Sequence, residues 1–159
     1  MGKSHHVKWD EKATAAANAR QKLPRLVTRY FADVREMLAK DPKPAELHRL
    51  RLATKRLRYT LELFRPCYGP GLETRMAELR EIQQLLGDVN DSAAAARLLA
   101  KSMREKAQQA RVDKFLEERA ERKAKEFRKH WEEVFDAAGK ERWWTAYLGR
   151  EARTPGRRV

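Results

Sequence analysis

Apolar residues recur at steps of three and four along almost the whole chain, and no run of β-branched residues interrupts them. Helices are therefore predicted throughout. The first runs from about Asp10 to Ala39, with Leu23, Leu26, Val27, Tyr30, Phe31, Val34 and Leu38 as its apolar stripe. Pro24 is expected to interrupt it, because a proline inside a helix removes a hydrogen bond and crowds the turn before it. Asp41, Pro42 and Pro44 end that helix and start a second, which reaches about Phe64. The following RPCYGPG reads as a loop. A third helix carries Leu72, Met76, Leu79, Ile82 and Leu86, with Gly87 as its C-terminal cap. Asp88, Asn90, Asp91 and Ser92 then offer N-caps for a fourth helix, through the alanine run to about Lys101.

A long fifth helix is predicted from about Arg104 to Ala138, anchored near its ends by Phe115, Leu116, Phe127, Trp131, Val134 and Phe135. Its middle, EERAERKAKE, is charged, and Glu118–Arg122 and Glu121–Lys125 stand four apart, as on a solvated helix laced with ion pairs. Gly139 ends it, and Arg142–Leu148, with Trp143, Trp144 and Tyr147, reads as a short amphipathic helix packing back. The fold class is all-α: one antiparallel bundle of four to six helices with one long C-terminal helix. Residues 1–9 are expected to be a flexible N-terminus, 10–148 the bundle, and 149–159 a disordered basic tail.

The second helix sorts its charges. At about 100° per residue, Leu47, Leu50, Ala53, Leu57, Leu61 and Phe64 gather on one side. His48, Arg51, Lys55 and Arg58 recur at steps of three and four on another, beside Tyr59 and Glu62. No acidic residue lies between His48 and Arg58. Stacked like charges cost helix stability, so a plain solvated face explains them poorly. Arginine forks and a lysine point charge suit a chain of phosphates, and a histidine among them adds a donor that depends on protonation. Tyr59 is expected to cover the edge of this rail, and Glu62, one turn on, to hold the Arg58 guanidinium.

Composition points the same way. Lys and Arg number 36 against 23 Asp and Glu, a net charge of +13, which favours phosphate-rich partners without saying which. Aromatic residues make up 8% and form no evident platform for stacking bases, which places RNA or DNA second among candidate partners. Cys67 is the only cysteine, so no intramolecular disulfide forms and a reducing, cytoplasmic setting is expected. No apolar run approaches the roughly 20 residues of a membrane span, and the N-terminus shows no secretory h-region.

Other chemistry is thin. Asp88–Asp91 lacks the further ligands and the glycine of a calcium loop. His5 and His6 are merely adjacent, and His130 has no partner histidine or cysteine. There is no Gly-rich phosphate loop, nucleophile elbow, zinc spacing or distinctive carboxylate pair. No catalytic residue, cofactor or metal is assigned.

The stretch LHRLRLATKRLRYTLELF, followed by LREIQQLLGDVND, resembles the CHAD family, named for a conserved histidine and an α-helical domain. The likeness joins H-x-x-R-x-x-x-K-R-x-R-Y, a helix break and LGD-x-N-D in order, over about Glu46 to Leu99. The opening WDEKATAAANARQKLPRLVTRYFADVREML is similar to short stand-alone members. The resemblance implies non-catalytic binding of inorganic polyphosphate, with association with polyphosphate granules. It assigns the binding to His48, Arg51, Lys55, Arg56, Arg58 and Tyr59. Arg25, Arg29, Arg75 and Arg80 are added by helix pattern, since basic residues of other helices complete such a surface. Larger members carry two helical halves facing each other across a basic channel; this chain shows one motif and looks like the second half. Either one half suffices, or two chains associate as a two-fold homodimer to supply both walls.

Overall fold

A computed structural model describes residues 7–155. Five α-helices follow in order: α1 (Ala15–Ala39), α2 (Pro44–Leu63), α3 (Pro70–Ser102), α4 (Lys106–His130) and α5 (Lys140–Arg150). A 3₁₀ turn at Arg65–Cys67 joins α2 to α3, and a π-helical turn at Trp131–Phe135 follows α4. Among the described residues there is no strand, and the all-α bundle with a long helix late in the chain is as the pattern predicts.

Helix α1 starts at Ala15, later than the Asp10 expected from the sequence. Thr14 caps it by accepting from the Ala17 amide at 3.1 Å. Residues before it fold back, with Asn18 accepting from the Asp10 amide and donating to the Asp10 carbonyl, each at 2.9 Å. Pro24 does not interrupt α1, which runs unbroken through it. Its ring faces α5, where a Cβ built on Gly149 would meet Pro24 Cγ at 3.7 Å. Packing between α1 and α5 thus offsets the lost hydrogen bond.

The predicted break at Gly87 is absent as well. Gly87 caps nothing; α3 continues from Pro70 to Ser102 and joins the predicted third and fourth helices into one of 33 residues. Leu86, Val89 and Ser92 are buried on either side of the glycine, and this packing outweighs the roughly 1 kcal/mol that an interior glycine costs.

One part of the core is a stack of rings between α1 and the π turn. Trp131 stacks on Phe135 with centroids 4.8 Å apart, and Phe31 lies 5.2 Å from Phe135. The wider π turn puts residues four apart on one face. Tyr30 closes the stack and reaches α2, its hydroxyl 2.8 Å from Thr54 Oγ1. Thr54 is thus buried in α2, while Ala53, expected on the apolar side, is only half-buried.

The tail boundary expected after residue 148 falls inside α5. Ala152 is buried, its carbonyl accepts from Arg20 Nη1 at 2.8 Å, and the Arg153 amide donates to the Cys67 carbonyl at 2.7 Å. Trp9, assigned to the flexible start, rests against Phe64 with ring centroids 5.2 Å apart. Residues 1–6 and 156–159, which include His5 and His6, lie outside the described residues.

Candidate polyanion-binding surface

Leu47, Leu50, Leu57 and Leu61 bury one side of α2, which fixes the helix's rotation and turns His48, Lys55 and Tyr59 to solvent. From His48 to Arg58 the row spans about 15 Å at 1.5 Å per residue. Helix α3 runs antiparallel beside it. His48 Nδ1 lies 2.9 Å from Asn90 Oδ1, and Arg58 Nε donates to Gln83 Oε1 at 2.9 Å. Between these two ties, the Arg51 side chain lies over Gly87, where an added Cβ would sit 3.8 Å from Arg51 Nε. Gln83, Gly87 and Asn90 are spaced four and three apart, so they share one face of α3.

The charges on this surface are unevenly offset. Arg58 Nη1 pairs with Glu62 Oε1 at 2.6 Å, so Glu62 does hold the guanidinium. Among the described residues, Arg51 and Lys55 have no carboxylate within 4 Å, and Arg51 Nε is buried without a hydrogen-bond acceptor. Tyr59 forms the edge: Lys55 Nζ stands 5.6 Å and the Arg58 guanidinium 4.7 Å from its ring centroid. The tyrosine limits the swing of both cations without neutralising either.

Of the other residues assigned by sequence, Arg80 belongs here. It precedes Gln83 by one turn on the same face of α3 and prolongs the row beyond Arg58. It lies 3.9 Å from Glu73, which Arg65 holds more tightly at 2.6 Å. Arg56 does not join the row. It follows Lys55 and so emerges about 100° around the helix, on the face it shares with Arg49. Arg25 and Arg29 are exposed on α1 and make no hydrogen bond or ion pair to α2 among the described residues.

Arg75 is a correction. It is 6% exposed. Its Nη atoms donate to the carbonyls of Gly71 and Trp143, at 2.8 and 2.7 Å. Its guanidinium is sandwiched between Trp143 and Tyr147, 3.7 and 3.9 Å from the ring centroids. Burial pushes its pKa down. This arginine clamps α5 to α3 and offers nothing to a ligand. Its helical position alone did not distinguish it from Arg80, because Trp143, which takes it out of solvent, is 68 residues away.

Asn90 and Gln83 are not among the residues assigned from the sequence, where Asn90 figures only as an N-cap candidate and Gln83 has no role. Their signal was the 83–87–90 spacing, legible only once α3 is known to be continuous. An open cleft of about 830 Å³ adjoins the row where α2 begins. Its floor is apolar, including Leu47, Leu86, Val89 and Leu116, and His48, Arg49, Arg97 and Glu117 stand among its lining. Among the described residues no three His, Cys, Asp or Glu side chains converge as a metal site, and no helix is long and apolar enough to cross a membrane. The surface can seat an extended anion along one helix, with fixed cations at successive turns and a histidine at one end.

The family model described as CHAD domain matches residues 3–100 of this chain. No curated protein and no solved structure matches it.

Proposed function

The chain belongs to the CHAD family, which is linked to inorganic polyphosphate, and from that premise we propose that its α2 face binds polyphosphate chains without catalysing a reaction. The observation that carries the reading is the pair Arg51 and Lys55: adjacent along the row and unopposed by any carboxylate within 4 Å among the described residues. Successive phosphates sit along α2, with Arg58, Tyr59 and Arg80 extending the track and His48 at its start. Binding is electrostatic and multivalent, so salt weakens it steeply.

The test is titration of labelled polyphosphate into the wild-type chain and an Arg51→Glu/Lys55→Glu variant, with RNA as competitor. The variant is expected to stay folded and lose binding. Unchanged affinity in the folded variant refutes the site, and easy displacement by RNA at physiological salt transfers the surface to nucleic acid. Incubation with polyphosphate and magnesium, watched for released phosphate, tests the non-enzymatic part.

The row forms a single open wall, and a two-fold dimer would supply the facing one. Light scattering with and without polyphosphate tests this. The expected setting is the cytoplasm and its polyphosphate granules, which a fluorescent fusion tests.

A further inference from the structure

Resting on that reading, we propose that Asn90 is a positioning residue that makes polyphosphate binding proton-linked through His48. Asn90 presents its carbonyl oxygen to His48 Nδ1 at 2.9 Å. A carbonyl only accepts, so Nδ1 carries the hydrogen. A neutral imidazole has one N–H, and Asn90 has claimed it. Nε2 then holds a bare lone pair. Ionised phosphate oxygens are acceptors too, so a neutral His48 meets them lone pair to lone pair. Protonation keeps the bond to Asn90 and adds an Nε2–H, which then donates to phosphate.

The surroundings make the ligand the natural counter-ion. Arg49, Arg97 and Glu117 line the same cleft, Arg51 stands one turn along α2, and Asp91 follows Asn90 on α3. Among the described residues, none brings a carboxylate within 4 Å of the His48 ring nitrogens, whereas His130 has Glu81 at 3.8 Å. Bound phosphate therefore favours the proton, and the proton favours phosphate.

The sign follows: affinity is higher where the ring carries both hydrogens and falls as pH rises, while Arg51 and Lys55 keep their charge throughout. One charge-assisted hydrogen bond gained with the proton raises affinity about tenfold.

The experiment uses the full chain and long-chain polyphosphate, titrated at pH 5.5, 6.5 and 7.5 at fixed ionic strength. His48→Ala subtracts the titration of the polyphosphate ends. The wild type is expected to lose about tenfold beyond that control. Asn90→Ala frees the neutral ring to carry its proton on Nε2, so its pH slope is expected to be shallower. A merely structural Asn90 would lower affinity equally at every pH. Independently of any ligand, long-range proton–nitrogen correlation on the wild type at pH 8 reads the tautomer and needs no variant to fold. A neutral His48 protonated on Nδ1 is expected. Protonation on Nε2, or equal slopes in the wild type and His48→Ala, overturns the proposal. No binding at any pH overturns the function itself, and the tautomer spectrum separates that failure from an error about Asn90.

Discussion

Replacing Arg51 and Lys55 with glutamine tests the α2 row through its salt dependence. The structure gives three permanent cations in sequence along it, Arg51, Lys55 and Arg58, with Arg58 partly spent on Glu62. Counterion release from a single-stranded polyanion contributes a slope of about −0.7 in log K against log salt for each phosphate neutralised. The three α2 contacts contribute about −2.1, of which the double variant keeps about −0.7, and Arg80 adds the same amount to both. Between 50 and 200 mM salt the α2 contacts alone cost the wild type about 18-fold in affinity and the variant about 2.6-fold. The difference in slope, about 1.4, does not depend on how much of Arg58 is available. Stability should change little: Arg51 and Lys55 bury no core, and the Lys55–Tyr59 contact is worth about 0.5–1 kcal/mol. The assay is fluorescence anisotropy of end-labelled polyphosphate at several salt concentrations, with a urea melt as the fold control. Parallel lines for the two proteins would mean that these side chains touch no phosphate, and the row would then be a solvated face.

Glu62→Gln removes the carboxylate that competes for Arg58 and should raise polyphosphate affinity several-fold, read in the same assay; a fall would place Glu62's hold on Arg58 as necessary to binding. Arg75→Leu removes two charged hydrogen bonds to the Gly71 and Trp143 carbonyls and breaks the stack with Trp143 and Tyr147, so urea melts should show a loss of about 2–4 kcal/mol while affinity per folded molecule is unchanged. Burial pushes the Cys67 thiol and the Tyr30 and Tyr68 hydroxyls above their ordinary values of 9.0 and 10.0. These groups stay protonated in the fold while the unfolded chain ionises, so urea midpoints should hold up to about pH 9 and then decline as pH rises. A midpoint that is flat to pH 11 would contradict their burial.

The heading of each side chain around α2 was open to inspection in one dimension. A helix fixes angular position at about 100° per residue whatever its neighbours, so four leucines and a row of cations on different faces follow from spacing alone. The same arithmetic explains why Glu62 meets Arg58 and Tyr59 lies under Lys55 and Arg58: these are contacts within one or two turns. The all-helical class followed for the same reason. Local signals failed where packing overruled them. Pro24 and Gly87 each ask for a break, yet α1 and α3 run straight through, because α5 and a buried apolar stripe hold them. What the fold alone decided were pairings across long separations. Asn90 reaches the His48 ring from 42 residues away, Gln83 steadies Arg58 from 25, and Trp143 takes Arg75 out of solvent from 68. No period in the chain encodes which helices become neighbours, so the sequence determined which charges share a face, and only tertiary packing decided which of them remain available to a ligand.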